Sequence, residues 1–277
     1  MKTSAIIATY NRPRHLRLCL KSLAASSVLP AEVLIADDGS TSETADAVLE
    51  MQRSLAHAFP IVHVRQDHIG CRKQKIVNEA VRRSTGDYLF FTDGDCMVHQ
   101  HCLREHLERS DPRAILAGQR VQIGKEMTAI HLDTGAVVNR LTGELLVDFI
   151  THRSHHAQEA FVIRNNILRK LLRKDRIKTA TSVIGCNCSL YKRLFVAING
   201  YDEEFQGFGE EDADLGIRVI NQGGFIRSVR NLAIVYHLYH LETWSFGSAQ
   251  FNFNASIKKR RIENREAVCK NGINRLP

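Results

Sequence analysis

Short runs of apolar residues alternate, over the first hundred positions, with stretches in which apolar residues recur every three or four places. The runs predict buried strands over residues 4–10, 32–36, 61–64 and 88–92. The stretches between them predict helices over residues 15–25, 42–55 and 72–83, since that spacing puts side chains on one helix face. Strands that alternate with helices predict an α/β fold with a mostly parallel sheet and right-handed crossovers.

The second half of the chain has a less regular pattern. It predicts helices over residues 99–109, 155–175 and 213–222, and strands over residues 114–122, 183–190 and 225–237. We find no internal repeat and no linker rich in Pro, Gly or Ser. The pattern therefore predicts one domain, with helices on the faces of its sheet.

Composition narrows the class of protein. With 277 residues, 44% hydrophobic and 25% charged, the chain has ordinary globular usage, which excludes collagen-like and wholly disordered proteins. No run approaches the roughly 18 apolar residues of a membrane-spanning helix, and the short apolar run over residues 4–8 predicts no secretory signal. Seven cysteines, an odd number without a CxxC pair, indicate reduced thiols. We expect a cytoplasmic protein.

Positive charge is concentrated in two segments. The net charge is +8, yet residues 164–178 carry +6 and residues 258–277 carry +5, so the remainder is slightly acidic. Nucleic acid, anionic lipid or a phosphorylated substrate would each suit such patches. Solvated helix faces explain them equally well.

Polar turns follow three of the predicted strands, at Asn11, at Asp37 and Asp38, and at residues 93–95. In open parallel sheets, ligands bind outside the carboxyl ends of the strands. Two aspartates that flank a glycine, as at residues 93–95, can face one Mg²⁺ or Mn²⁺ ion, and the glycine lets a diphosphate approach closely. Such residues are also common in plain turns.

Two later segments could add to such a site. A Gly-Phe-Gly turn at residues 207–209 leads into the acids of residues 210–214, where a carboxylate could act as general base toward a hydroxyl. The same acids would also suit the start of a helix. His237 or His240, after an apolar strand, could complete a metal site, although a histidine at a strand end is often structural.

In this order and spacing, the motifs resemble those of the inverting, metal-dependent glycosyltransferases of family 2, which have the GT-A fold. The matching segments are residues 6–12, 34–40 and 86–95. Residues 185–189 and 199–214 are similar to the C-terminal half of galactosyltransferases, N-acetylgalactosaminyltransferases and chondroitin-type polymerases.

The resemblance implies a site for a UDP-sugar donor. Asp38 would accept a hydrogen bond from the uracil N–H, and Tyr10 would stack on the ring, with Ala8 and Asp37 beside them. Asp93 would contact the ribose. The other donor-site residues that it implies are Arg12, Arg72, Lys73, Lys75, Asn78 and Gly94.

The resemblance also implies an inverting transfer that depends on Mn²⁺ or Mg²⁺. Asp95 would bind the metal with His237, and His240 is the rival ligand. Asp212 would be the general base. The acceptor, a glycan or a lipid-linked glycan, would contact Phe208, Gly209 and Glu211.

In this interpretation residues 1–257 form the GT-A domain, with residues 1–98 as the nucleotide-sugar-binding half and residues 99–257 as the acceptor-binding half. Residues 258–277 form a basic helix or arm. That tail could lie on the anionic inner face of a membrane, at about 1 kcal/mol per basic residue, or contact another subunit.

Two other functions fit part of the pattern. A sugar-phosphate nucleotidyltransferase would also use a nucleotide-binding sheet and a metal, but residues 9–13 hold none of the glycines that usually follow its first strand. A non-catalytic nucleotide- or nucleic-acid-binding module would use the basic patches. Only 7% of the residues are aromatic, and no RNA-binding or zinc-knuckle pattern is present, so we expect no nucleic-acid partner.

Overall fold

The computed structural model describes residues 1–138, 140–151, 153–175, 183–241 and 248–275. Every strand and helix predicted in the first hundred residues is present. These elements are β1 (Thr3–Thr9), α1 (Pro13–Ala24), β2 (Glu32–Asp37), α2 (Ser42–Ser54), β3 (Ile61–Arg65), α3 (Lys73–Arg83) and β4 (Tyr88–Asp93).

The strands of the second half are shorter, and the helices predicted at residues 99–109 and 213–222 are confirmed as α4 and α9. In chain order the elements are β5 (Cys96–Val98), α4 (Cys102–Glu108), β6 (Ala114–Ala117), β7 (Gln119–Gln122), α5 (Lys125–Thr134), α6 (Gly143–Ile150), α7 (Asn166–Leu171), β8 (Cys188–Tyr191), α8 (Lys192–Ala197), α9 (Glu211–Asn221), β9 (Phe225–Ser228), β10 (Ile234–His237) and α10 (Ala249–Glu263). None of the helices in the described ranges is long and apolar enough to cross a membrane.

A seven-stranded sheet forms the centre of the fold, in the order β3-β2-β1-β4-β8-β6-β9. Its strands are parallel except β8, which runs antiparallel to β4 and β6. β1 and β2 are buried along almost their whole length, because helices cover both faces, which is why they appear as continuous apolar runs. The predicted α/β fold with a mostly parallel sheet is therefore confirmed.

A second sheet of three strands, β5-β10-β7, begins directly after the turn that ends β4. β10 pairs antiparallel with β5, and the register sets His237 opposite Cys96. The backbone N–H of Leu238 extends this pairing by donating to the carbonyl of Asp95 at 2.9 Å. The small sheet thus joins the end of β4 to the far end of the chain.

The single strands predicted over residues 114–122 and 225–237 are wrong, because each is two strands that belong to different sheets. At Gly118 the chain passes so close to Asn187 that a Cβ atom would lie 2.2 Å from the side-chain nitrogen. Between β9 and β10, Asn231 takes a left-handed conformation with φ of 57°. Both breaks redirect the chain from the large sheet to the small one.

The helix predicted over residues 155–175 is also wrong for most of its length. It contains one 3-10 turn (Ala157–Glu159) and the short α7, because the chain between them bonds to Asn231. The side-chain amide of Asn231 donates to the carbonyl of Phe161, and the backbone carbonyl of Asn231 accepts from the N–H of Ile163. The strand predicted over residues 183–190 begins with a 3-10 turn and is extended only in β8.

The segment predicted as a basic helix or arm, residues 258–277, begins within a helix: α10 crosses the boundary at residue 258 and packs against α9. Arg261 is 2% exposed, and its guanidinium binds Asp202 and, at 2.9 Å, Asp214. Arg218 of α9 binds the other oxygen of Asp214 at 2.6 Å. The two arginines and two aspartates form a buried network that holds α10 to the domain.

Other basic residues of the tail are also paired within the fold. Lys258 lies 2.6 Å from Glu210, and Arg260 lies 2.8 Å from Glu204. Much of the charge that favoured an anionic partner is therefore neutralised. In the other basic patch, residues 176–178 lie outside the described residues.

Replacing Arg261 with Met should lower the free energy of unfolding by about 3–5 kcal/mol, because it removes a buried partner from Asp202 and Asp214. Urea denaturation followed by circular dichroism measures this loss. Lys259→Met on the same helix, where the side chain is 76% exposed, should change stability by less than about 0.5 kcal/mol. Equal effects of the two changes would contradict a structural role for the network.

Candidate functional site

Two adjoining cavities open at the carboxyl edge of the large sheet, where β1, β2 and β4 end. The first has a volume of about 630 Å³ and the second about 900 Å³. Their common wall contains Arg12, Lys73, Asp93, Asp95 and Phe208. The acidic and basic side chains expected at the strand ends therefore meet at one place.

The first cavity offers a flat aromatic surface beside a carboxylate. The Tyr10 ring stacks on His68, with the ring centroids 4.7 Å apart and the planes 16° from parallel. Asp38 accepts hydrogen bonds from the Gln66 amide at 2.6 Å and from the Arg72 backbone N–H at 2.8 Å. These contacts fix the carboxylate next to the rings, an arrangement that suits a planar heterocycle bearing an N–H.

The rest of this cavity is lined by backbone from the first strands and by side chains from the end of the chain. Ala8 and Gly94 lie on its sheet side, and a Cβ at Gly94 would approach Thr9 Oγ1 to 2.9 Å. Phe208 and Phe251 close the opposite side. Both halves of the chain therefore build the first cavity.

Asp37 and Asn78, two residues expected at the donor, line neither cavity. Asp37 is fully buried, where its carboxylate accepts from the Ser40 N–H at 2.9 Å and lies 2.8 Å from the His63 ring. Asn78 is equally buried and bonds to Tyr201 through both the backbone N–H and the carbonyl. Each residue shapes a turn next to the site.

The side chains of Arg72 and Lys75 also lie outside the cavity walls. Arg72 directs its guanidinium to the carbonyl of Asp67, so only its backbone faces Asp38. Lys75 is exposed on α3. Of the three basic residues expected in this segment, Lys73 alone lines the cavities.

Lys73 lies between the acids of the two cavities. Its ammonium group is 3.0 Å from Asp93. Burial opposes its charge, but the carboxylates of Asp93, Asp212 and Glu211 raise the pKa of Lys73 well above its usual value. Lys73 is therefore a fixed positive charge at the junction of the cavities.

Asp95 is surrounded by nitrogen donors. Its Oδ1 is 3.6 Å from His237 Nε2, while its Oδ2 is 2.9 Å from Arg12 Nη1 and 3.2 Å from His240 Nε2. Burial opposes ionisation of Asp95, yet the hydrogen bond to His240 and the charges nearby hold its pKa below its usual value. Burial lowers the pKa of His237 to about 4, which leaves its ring neutral at pH 7.

This cluster fits a divalent cation. One ligand atom each from Asp95, Cys96 and His237 lies within 4.8 Å of the other two. A carboxylate and a neutral imidazole are ligands that Mn²⁺ accepts. His237 Nδ1 is buried and has no hydrogen-bond partner among the described residues. His237 lies beside Oδ1 of Asp95, whereas Arg12 binds the other oxygen, Oδ2.

Asp212 lies in the second cavity on the first turn of α9. Its Oδ2 accepts from the Gly185 N–H at 2.6 Å, and its Oδ1 accepts from the Tyr201 hydroxyl at 2.9 Å. A Cβ at Gly185 would come within 2.5 Å of the carboxylate, so only glycine permits this approach. Two donors therefore fix the orientation of Asp212 in the cavity.

Glu211 is buried beside Asp212. The turn before it is strained, with Gly209 at φ of 101° and Glu210 at φ of 74°, and it presents both acids to the second cavity. Burial and the neighbouring Asp212 raise the pKa of Glu211 to about 7. The two neighbouring carboxyl groups therefore differ in surroundings: Asp212 accepts hydrogen bonds from Gly185 and Tyr201, whereas burial dominates at Glu211.

Sequence reasoning did not identify His68 and Tyr201 as site residues. His68 follows β3, another parallel strand that ends at the same edge of the sheet, and that position is a usable signal. Tyr201 lies in a turn within a matched motif, but only the folded chain brings its hydroxyl to Asp212.

Comparisons with known proteins bear on the family. A family model described as glycosyl transferase family 2 matches residues 4–196, and one described as the N-terminal domain of galactosyltransferase matches residues 169–241. The chondroitin synthase of Escherichia coli is 26% identical over 246 residues, which are 84% of this chain and 34% of that protein. The chain spans about a third or less of the first curated relatives that it matches.

Solved structures bear on the fold. The mannosyltransferase PcManGT of Pyrobaculum calidifontis, in complex with GDP-Man and Mn²⁺, has a TM-score of 0.62 at 14% identity, over 96% of this chain and 69% of that one. GalNAc-T7 with UDP, GalNAc and Mn²⁺ also has a TM-score of 0.62, at 15% identity over 92% of this chain and 47% of that one. The fold is of the GT-A type.

Glu211 should make the stability of the protein depend on pH. Between its ordinary pKa of 4.5 and its folded value of about 7, the folded state keeps a proton that the unfolded state has lost, so stability falls as pH rises. The free energy of unfolding of Glu211→Gln, measured relative to that of the unsubstituted protein, should therefore rise by about 2–3 kcal/mol as the pH increases from 5 to 8. Urea denaturation at several pH values measures the difference.

Glu144→Gln, at an exposed position of α6, is the matched control and should show no such gain. If the difference in free energy of unfolding between Glu211→Gln and the unsubstituted protein also did not change with pH, the raised pKa of Glu211 would be contradicted.

Proposed function

The chain belongs to glycosyl transferase family 2, and we propose that it transfers a hexose or N-acetylhexosamine from a UDP-sugar to a hydroxyl of a glycan or glycolipid acceptor, with inversion. The observation that carries the proposal is the convergence of Asp38, Asp95 and Asp212 on two adjoining cavities. The family match gives no support to the nucleotidyltransferase or to the non-catalytic module.

We assign the donor nucleotide to the first cavity. The stacked Tyr10 would cover one face of the uracil, and Asp38 would accept from its N–H in place of the Gln66 amide. Asp93 would contact the ribose. Because Gly94 has no side chain, the diphosphate could come close to the backbone there. In the solved structures, GalNAc-T7 carries UDP and PcManGT carries GDP-Man, so the choice of uracil depends on this pocket.

We assign Mn²⁺ or Mg²⁺ to Asp95 and His237. Support comes from the 3.6 Å between His237 Nε2 and Asp95 Oδ1, from side chains that are only 12% and 9% exposed, and from the neutral imidazole. When bound, the cation would offset the negative charge that builds on the diphosphate as the sugar leaves. His240 is the rival ligand, but its Nδ1 lies 3.0 Å from Arg12, which draws it toward the guanidinium.

Arg12 and Lys73 would act on the leaving group as fixed positive charges. Both line the two cavities, so each can reach a diphosphate that spans their junction. Preorganised charges of this kind stabilise a developing anion without further reorganisation. Lys73 would exchange part of its contact with Asp93 for phosphate oxygens.

We propose Asp212 as the general base. Its carboxylate would take the proton of the acceptor hydroxyl as that oxygen attacks the anomeric carbon from the second cavity, opposite the leaving group. The donors Tyr201 and Gly185 would hold the carboxylate in line. The acceptor would lie against Phe208, Gly209 and Glu211.

Residues 1–98 would then supply most of the donor site, and residues 99–257 would supply the acceptor site. Two observations modify this division. Phe208 and Phe251 also line the first cavity, and α10 continues beyond residue 257 as part of the same domain.

Asp212→Asn should lower kcat by about 10²–10⁴-fold, because it removes the proton acceptor, while the affinity for UDP changes little. Release of UDP from a panel of UDP-sugars and acceptors measures kcat, and calorimetric titration measures the affinity. Asp133→Asn, whose side chain is 73% exposed, is the control and should keep full activity. Full turnover by Asp212→Asn would refute its assignment.

His237→Ala should weaken Mn²⁺ binding more than tenfold, since it removes one of two protein ligands, whereas His240→Ala should weaken it less than threefold. Electron paramagnetic resonance of free Mn²⁺ measures both affinities without a substrate. The reverse order would assign the ion to His240, and no change in either variant would remove the ion from this cluster.

A further inference from the structure

Helix α7 presents an apolar face to solvent. Ile167 and Leu171 are 71% and 74% exposed, and Leu168 and Leu172 are 44% and 49% exposed. Residues four apart share one side of a helix, so the two pairs form one continuous strip. We call these four side chains the α7 face.

The orientation of the α7 face is set by a buried arginine on the other side of the helix. Arg169 is 4% exposed, and its guanidinium donates to the backbone carbonyls of Ser228, Arg230 and Lys174. Turning the helix to bury the apolar strip would withdraw this cation from its acceptors. The exposure of the strip is therefore built into the fold.

Positive charges border the α7 face. Lys170 and Arg173 are exposed and form no ion pair with any residue in the described ranges. Arg164 precedes the helix with its side chain 57% exposed and only a 3.4 Å contact to Glu105. The basic residues of α10 differ, because Lys258, Arg260 and Arg261 pair with acids.

We propose that the α7 face docks on an anionic lipid bilayer, with its apolar side chains inserted at the level of the headgroups. Exposed Leu and Ile side chains bordered by unpaired cations are complementary to such a surface in both polarity and charge. A second copy fits less well, because a two-fold interface through the same face would bring the cations of both copies together.

The position of α7 in the chain connects this surface to the second cavity. Arg153, His155 and His156 line that cavity, and the same segment runs on to α7. Docking would hold the protein beside the bilayer. The wall of the second cavity formed by Arg153, His155 and His156 would then be linked directly, through the chain, to the docked helix. The proposal depends on neither the donor nor the acceptor.

Co-sedimentation of the full chain with vesicles tests the docking surface. We expect binding to phosphatidylcholine vesicles that contain 30% phosphatidylglycerol, and at least tenfold weaker binding to phosphatidylcholine alone. Lys170→Gln with Arg173→Gln should lower the partition coefficient about 30-fold, at about 1 kcal/mol per charge. Ile167→Asp with Leu171→Asp should lower it by more than tenfold at these exposed positions.

Two matched controls separate the α7 face from general effects. Leu49→Asp replaces an apolar residue that is 51% exposed on α2, and Lys259→Gln with Arg265→Gln removes two charges of the tail. Each should change binding less than threefold, with circular dichroism unchanged for all variants. Equal losses in the controls, or no binding of the unsubstituted protein to anionic vesicles, would overturn the proposal. A dimer in light scattering that Ile167→Asp with Leu171→Asp dissociates, without vesicle binding, would assign the face to a second copy.

Discussion

The pairing of β5 with β10 is the constraint on which the site depends. It joins the turn after β4 to a strand far along the chain, and its register sets His237 opposite Cys96, next to Asp95. Successive residues of a strand point to opposite faces, so a slip of one residue would turn the His237 ring away from Asp95. The parallel sheet alone places Asp38 and Asp93 at one edge, but it cannot bring the His237 imidazole to Asp95.

A second constraint acts on α9, which carries the acids of the other cavity. Asp214 is buried between Arg218 and Arg261, two residues along α9 from Asp212. Buried ion pairs often add little to stability compared with apolar packing, but they accept few alternative geometries. The network therefore determines how α9 lies, and Gly185 lets Asp212 reach the backbone N–H that orients it.

The first half of the fold could be predicted because β1, β2 and β4 are buried on both faces and end in polar turns, so that each appears in the sequence as an apolar run followed by polar residues. In the second half α4 and α9 could be predicted, but the ends of the strands could not, because they depend on tertiary contacts such as the approach of Gly118 to Asn187. The same holds for side chains. From the sequence, Asn78 could bind a ligand, and only the folded chain shows that its side chain is bonded to the backbone of Tyr201. Likewise, the sequence does not show that Arg261 is buried against acids.

The far end of the chain supplies the last wall of the first cavity, and this affects how the enzyme matures. Chains leave the ribosome with the N-terminal part first, so β1 to β4 can assemble while β10 and α10 are still being made. The first cavity lacks Phe251 until translation has passed it, and α9, which carries Asp212, lacks the supporting contact of α10 until Arg261 has emerged. A nascent or prematurely terminated polypeptide would thus contain β1 to β4, four of the seven strands of the large sheet, without the complete walls of either cavity.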